Sequence, residues 1–257
     1  MDLFDLTGKV ALVTGSTKGI GEAIVHRLAE RGANVVVSSR KPDACERVAA
    51  DINGKYGKGR QVAAPIPCNI NYKEQLQQLA AATRHTFGRI DVLVCNAALN
   101  PYFGPQAEIP DEAFDKIMGA NVRSNHWLCQ LVLPEMAERK DGSVIIVSSI
   151  GGLRGSAVLG AYCISKAADL QLARNIAVEY GPHNVRANCI APGLIRTDFA
   201  RALWENPDIL KRSTQNAPLR RIGDPDEIAG AAVFLASKAG AFMTGQVIVI
   251  DGGVTIV

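Results

Sequence analysis

No apolar run in this sequence approaches the roughly 18 residues of a membrane-spanning helix, so no such span is expected. Runs of basic residues are missing as well. The lysines and arginines are scattered and the net charge is only +3, which gives nucleic acid no footprint to bind. The six cysteines, Cys45, Cys68, Cys95, Cys129, Cys163 and Cys189, form no Cys-x-x-Cys and no metal-like spacing. Several lie in apolar runs, where cysteine behaves as a small hydrophobe. They read as reduced thiols, no metal site is expected, and the protein is placed in the cytoplasm. The start, Met1-Asp2-Leu3-Phe4-Asp5-Leu6, carries acids where a signal peptide would be basic. The end, Thr255-Ile256-Val257, lacks the peroxisomal Ser-Lys-Leu.

What the chain does have is a large apolar fraction, 47% of 257 residues, enough for a substantial core. Strand-like and helix-like segments alternate from end to end. Strands are expected over 10–14, 34–39, 61–66, 90–95, 143–148, 185–190 and 246–250. Helices are expected over 20–31, after residue 40, from Asn71, from a cap at Asp111 to about Arg139, over 160–180 and over 224–236. The strands are continuous apolar runs, which marks burial on both faces. Alternation of this kind gives a parallel sheet with helices on both sides. The expected fold is α/β, a doubly wound Rossmann sheet of about seven strands. With no Pro/Gly/Ser linker and no repeat, residues 1–257 read as one domain. Residues 194–217 form the least regular long stretch, partly apolar, and suit a lid over a site.

Three local patterns carry chemistry. Tyr162 and Lys166 stand four residues apart, on one helix face, and Ser149 ends the strand before them. A lysine ammonium beside a phenol lowers its pKa from about 10, so Tyr162 can give or take a proton near neutral pH. Gly15-Ser16-Thr17-Lys18-Gly19-Ile20-Gly21 joins the first strand to the first helix. Glycines there allow pyrophosphate to approach backbone N–H groups at a helix N-terminus, although the spacing departs from Gly-x-Gly-x-x-Gly. The second strand ends in Ser38-Ser39-Arg40-Lys41. NAD enzymes usually place a carboxylate here against the ribose 2′-hydroxyl. Cations in its place, with Lys18 nearby, favour a 2′-phosphate and hence NADP(H). The plainer alternative is that Arg40 and Lys41 merely solvate a helix start.

These residues resemble the short-chain dehydrogenase/reductase superfamily over essentially the whole chain. Thr14 to Gly21 matches its Thr-Gly-x-x-x-Gly-x-Gly, and Cys95-Asn96-Ala97-Ala98 resembles its Asn-Asn-Ala-Gly. The resemblance implies a catalytic set of Asn121, Ser149, Tyr162 and Lys166. It implies that Asn96, Ala97 and Ala98 line the cofactor, as do Ser39, Arg40 and Lys41, and that Tyr162 and Lys166 touch it. It implies that Pro192, Gly193, Ile195 and Thr197 meet the nicotinamide. It puts Asn69 and Ile70 near adenine, with Asn69 replacing the acid often found there. It also assigns roles: Tyr162 exchanges the proton, Lys166 depresses its pKa and holds the ribose, Ser149 binds the substrate oxygen, and Asn121 holds a water linked to Lys166. His26, His85, His126 and His183 show no partner pattern and read as structural or solvated.

Within the superfamily, residues 35–41, 96–104 and 191–196 resemble the branch of NADPH-dependent carbonyl and retinal reductases. The reading is therefore an NADP(H)-dependent interconversion of a small carbonyl substrate and its alcohol. Two alternatives within the class stay open: a 3-oxoacyl-[acyl-carrier-protein] reductase, with Arg139 and Lys140 as candidate docking cations, and an NAD-dependent alcohol or sugar dehydrogenase. A nucleotide sensor without turnover is the alternative outside it, and an intact acid/base set argues against one. By resemblance the chain forms a homotetramer, with a dimer as the simpler alternative. The helix at 160–180 supports this, being apolar on more than one face (Ile164, Ala168 and Leu172; Leu170, Ala173 and Ala177).

Overall fold

The apolar runs become seven parallel strands in the computed structural model, which describes residues 2–257, the side chains of Ala202 and Arg212 apart. The elements run β1 (Val10–Thr14), α1 (Gly19–Glu30), β2 (Asn34–Ser38), α2 (Pro42–Tyr56), β3 (Ala63–Pro65), α3 (Lys73–Phe87) and β4 (Val92–Cys95). After them come α4 (Asp111–Met118), α5 (Ser124–Glu138), β5 (Gly142–Val147), α6 (Gly160–Tyr180) and β6 (Val185–Pro192). The chain ends with α7 (Arg201–Trp204), α8 (Pro207–Thr214), α9 (Pro225–Ala236) and β7 (Val247–Ile250). The sheet order is β3-β2-β1-β4-β5-β6-β7, so the winding reverses between β1 and β4. In such sheets ligands bind at the carboxyl ends of the strands beside that reversal.

Successive side chains of a strand point to opposite faces, and both faces of this sheet are dry. Ala11, Val13, Val35, Val37, Val94 and Ile145 pack on one side against α1, α2 and α9. Leu12, Val36, Leu93, Val144, Ile146 and Cys189 pack on the other against α3, α5 and α6. Two packed layers on a central sheet make the expected doubly wound domain.

Besides shifts of one or two residues at other element ends, the structure departs from the sequence reading in four places. β3 is three residues long, not six, and lies at the sheet edge, the place suited to Pro65 within it and Pro67 after it, which have no N–H to donate to a ladder. β6 runs two residues further than expected, to Pro192, and so carries Gly193 to the end of the sheet. The helix expected from Asp111 to Arg139 is broken by a π turn at Gly119–Arg123, where the Ser124 N–H reaches back to the Gly119 carbonyl. Its N-cap is Pro110, with Asp111 in the first turn. Finally, residues 194–217 are mostly helical, holding a 3-10 turn (Asp198–Ala200), α7 and α8. Periodicity misses them because helices of four and eight residues span too few turns to show it.

Candidate functional site

The carboxyl ends of β1, β4, β5 and β6 converge, and each delivers one part of the site. From β1 comes the glycine turn. Gly15 has φ of +65°, a left-handed conformation that glycine adopts without strain. At Gly21 an added Cβ would lie 2.3 Å from the Gly15 carbonyl oxygen, so the turn folds back on itself only without a side chain. Ser16 is buried; its hydroxyl donates to the Val13 carbonyl at 2.8 Å and accepts from the Ser38 N–H at 2.8 Å. Thus the Ser16 side chain staples β1 to β2. Lys18 is the N-cap of α1 and supplies no capping bond to it. The first N–H groups of that helix therefore lack side-chain partners and face outward as anion donors.

Asn96, at the end of β4, clamps this turn. Its Nδ2 donates to the carbonyls of Thr14 (2.9 Å) and Gly15 (3.1 Å). The Thr14 hydroxyl accepts from the N–H groups of Asn96 and Ala97, both at 3.1 Å. Ala98 follows on the same loop, half-buried. Beyond β2, Arg40 and Lys41 are exposed and make no ion pair among the described residues. Arg47 of α2, which the motif reading passed over, donates to the Thr17 carbonyl at 3.2 Å and adds a cation at the turn. Asn69 is used locally: its N–H donates to Gln75 and its Oδ1 accepts from the Asn71 N–H. Ile70 packs against the α3–α5–α6 core.

At the end of β5, Ser149 starts a 3-10 turn, accepting from the Gly151 N–H at 3.0 Å. The Ser148 hydroxyl donates to the Lys166 carbonyl at 2.8 Å and ties β5 to α6. On α6 Lys166 is 2% exposed. Its Nζ donates to the Val147 carbonyl at 2.9 Å and to Asp169 Oδ2 at 3.0 Å, and lies 5.8 Å from the centre of the Tyr162 ring. Burial opposes the Lys166 charge, but the Asp169 carboxylate and Tyr162 together outweigh it and the ammonium is held above the usual lysine value. For Tyr162 the net effect runs against the sequence expectation. Burial pushes its hydroxyl above the ordinary phenol value, and Lys166 and the hydrogen bond with Ser149 recover only part of that rise.

Asn121 sits in the π turn, fully buried. Its side chain accepts from the Leu99 N–H (2.9 Å) and donates to the Leu99 carbonyl (3.0 Å) and to Ser165 Oγ (3.0 Å). The Ser165 hydroxyl donates in turn to the Tyr162 carbonyl at 2.7 Å. The Asn121 backbone carbonyl accepts from Asn125 Nδ2 at 2.6 Å.

Beyond β6, Pro192 is buried and Gly193 half-buried. Ile195 points into the core, 5% exposed, and bridges to Gly223. Thr197 lies against the glycine turn: an added Cβ on Gly19 would come 3.0 Å from its Cγ2. Lys18 also reaches this segment, 3.6 Å from Asp198. Phe199 sets its ring 6.1 Å from that of Tyr162. An open groove of about 500 Å³ starts at Gly19 and Thr197 and is lined by His26, Arg27 and Asp226; Ser149, Tyr162 and Lys166 take no part in it. His26, read as structural or solvated, lies 3.4 Å from Asp51 and edge-on to Tyr56. Among the described residues no group of three His, Cys, Asp or Glu could hold a metal, and no helix is long and apolar enough to cross a membrane.

Asp169 and Asn125 are functional candidates that the motifs missed. A signal was present, since Ala161, Ser165, Asp169 and Ala173 repeat at helical spacing and share one buried face.

A phenol, an ammonium and a hydroxyl beside a glycine-turn helix N-terminus at the reversal point define a dinucleotide-dependent oxidoreductase. Residues 15–255 match the family model described as enoyl-(acyl carrier protein) reductase. Dehydrogenase/reductase SDR family member 4 of Bos taurus is 44% identical over 96% of this chain and 88% of its own length. A short-chain type dehydrogenase/reductase from Mycobacterium marinum is 36% identical, with a TM-score of 0.91 over 99% of this chain and 98% of that one. A Pseudomonas aeruginosa RhlG/NADP active-site complex is 34% identical, with a TM-score of 0.91 over 99% of both chains. The chain belongs to the short-chain dehydrogenase/reductase superfamily, near its carbonyl and retinol reductase branch.

Asn96→Ala removes both bonds that hold the Thr14 and Gly15 carbonyls. Each is worth about 0.5–1.5 kcal/mol. The expected result is a stability loss of about 1–3 kcal/mol in denaturant unfolding, with weaker binding of the dinucleotide by fluorescence titration. Unchanged values on both counts would show that the clamp is idle.

Proposed function

We propose that the protein is an NADP(H)-dependent oxidoreductase that interconverts an apolar ketone or aldehyde and its alcohol, with Tyr162 as acid and base. The observation that carries this reading is the half-buried phenol of Tyr162, set between the Ser149 hydroxyl and the buried Lys166 ammonium. The nicotinamide, when bound, supplies or accepts the hydride. Ser149 donates to the substrate oxygen, where charge develops. Tyr162 protonates that oxygen in reduction and takes the proton back in oxidation. Lys166 holds a positive charge beside the phenol, and Asn121 anchors the Leu99 loop and the start of α6 through Ser165.

The residues present fit the dinucleotide: an uncapped helix N-terminus for pyrophosphate, and Arg40, Lys41 and Lys18 for a 2′-phosphate. Exposed apolar side chains stand on the loops after β4, β5 and β6, at Phe103, Leu153 and Phe199, and these suit an apolar substrate. Residues 194–217 act as the lid. The acyl-carrier reading loses support, since Arg139 is spent on the Glu135 and Ile90 carbonyls. The free thiols of all six cysteines favour a reducing, cytoplasmic setting.

Tyr162→Phe should cut turnover by at least about a hundredfold while cofactor binding stays near wild type, because the proton is needed only in the transition state. Turnover within tenfold of wild type, in an NADPH assay with a panel of ketones, would sink the assignment. The pH dependence follows from the raised phenol. Reduction needs the protonated form, so its rate should hold flat through neutral pH and fall only on the alkaline side; oxidation needs the phenolate and should rise with pH.

Arg40→Asp should raise the KM for NADPH by roughly tenfold to a hundredfold, the loss of one charge-assisted contact, with NADH little affected. A wild-type enzyme that already prefers NADH would refute the cofactor choice.

The proposed assembly is a D2 tetramer, built on two faces that the single chain leaves apolar. Ile164 and Val178 are exposed on α6, and Phe242, Val249, Ile256 and Val257 are exposed near the carboxyl end. Light scattering should give four times the 27.4 kDa chain mass. Twice that mass would leave only the helical face in use, and a monomer would defeat both versions.

A further inference from the structure

Lys166 shares its helix with an acid that the Ser149–Tyr162–Lys166 set leaves without a task. Asp169 is fully buried, and its Oδ2 lies 3.0 Å from Lys166 Nζ. Its Oδ1 accepts from Asn125 Nδ2 at 2.9 Å. Asn125, 2% exposed on α5, donates through the same nitrogen to the Asn121 carbonyl. A continuous chain of side chains thus runs from the π turn to the ammonium. Lysine has three N–H donors. Val147 and Asp169 occupy two of those on Lys166, and one is left for the Tyr162 side of the site. A buried ion pair is weak support for a fold, since apolar residues of similar volume often serve stability as well or better. Its presence here, beside the reacting phenol, points to a task in the reaction.

We propose that Asp169, held in place by Asn125, is a positioning residue: it fixes the Lys166 ammonium with a single donor free and offsets part of its charge at the Tyr162 hydroxyl. This rests on Tyr162 being the acid/base. The charged and titratable groups facing the phenol are Lys166, Asp169 and Cys163, together with the Ser149 hydroxyl. Asp169 itself faces Lys166 and Asn125, with Cys189 on β6 and Cys95 on β4 nearby, two thiols that burial helps to keep protonated. Lys166 pulls the phenol down and Asp169 pushes it up. With Lys166 still charged, a charge that the Tyr162 phenolate itself favours, loss of the carboxylate leaves the ammonium unopposed, so Tyr162 loses its proton at lower pH, and the alkaline fall of the reductive rate moves to lower pH with it.

The test uses the full chain with Asp169→Asn, Asp169→Leu and the charge-conserving Asp169→Glu. Near-ultraviolet phenolate absorbance is titrated without cofactor or substrate, and the same titration with Tyr162→Phe added is subtracted to isolate Tyr162. Asp169→Asn and Asp169→Leu should lower the Tyr162 midpoint by about one pH unit, and Asp169→Glu should restore it toward wild type. The alkaline limb of the reductive kcat profile should move in step. An unmoved midpoint in folded variants overturns the proposal. So does loss of the folded state, by circular dichroism, in both charge-removing variants, which would assign Asp169 to stability alone. A shifted midpoint in a wild type that reduces no carbonyl upholds the coupling and rejects the reaction instead, so the two readings fail separately.

Discussion

A lysine ammonium kept charged inside the protein is the constraint around which the site is built. Taking such an ion out of water costs several kcal/mol even after relaxation, so the surroundings of Lys166 must return that energy through geometry. They do so with one backbone carbonyl, at the end of β5, and one carboxylate, a turn further along α6. The carboxylate is itself buried and needs its own donor, which α5 provides through Asn125. The end of β5, α6 and α5 are thereby locked to one another around a single ion pair. The π turn before α5 belongs to the same arrangement, since it carries Asn121, whose carbonyl receives the other bond of Asn125.

The cofactor half of the site rests on a different principle. Around the glycine turn the bonds are neutral, and what matters is close approach. Asn96 and Thr14 hold two strand ends together across the reversal point, and Gly21 lets the turn fold tightly enough for α1 to present its N-terminus. The cations near this turn are exposed on flexible stems, as expected of groups that would meet a solvated phosphate. Lys18, paired loosely with Asp198, links the turn to the 194–217 segment. A surface pair of this kind is worth little by itself, and a ligand with its own negative charge would compete with Asp198 for the same lysine.

Most of the fold was legible because burial on both faces writes long apolar runs into the strands, and β1 and α6 emerged with the bounds expected of them. The motif positions were legible for a related reason: the glycine turn, Ser149, Tyr162 and Lys166 all lie where a strand ends or a helix turns, and spacing reports such places. What spacing could not report was geometry that conserves helical periodicity. The π turn at Gly119–Arg123 opens on a glycine, but a single glycine inside a helical pattern is no certain break, so 111–139 read as one helix. The buried pair was equally hidden, since Asp169 looks like any polar residue on a helix until the buried face through Ser165 and Ala173 is traced. The net direction of the Tyr162 shift was missed for the same reason. The attraction to Lys166 is visible in four-residue spacing, whereas the burial that outweighs it depends on the packed surroundings.

The two halves also explain how such a site can hold its chemistry constant while its substrate changes. Lys166, Asp169 and Asn125 are set by helices and by bonds to one another, and Ser149 by the end of β5, so their relative positions resist change in the loops. Phe103, Leu153 and Phe199 stand on connections that follow the strands, exposed and with little packing to fix them. In the proposed reaction a substitution there would alter what is bound without disturbing the charge arrangement below. A substitution in the buried network does the reverse: it alters the proton affinity of the phenol for every substrate alike. Burial raises the phenol, and a hydroxyl that keeps its proton through neutral pH is suited to donating it, so in the proposed reaction the rigid half of the site serves proton donation whichever carbonyl the loops admit.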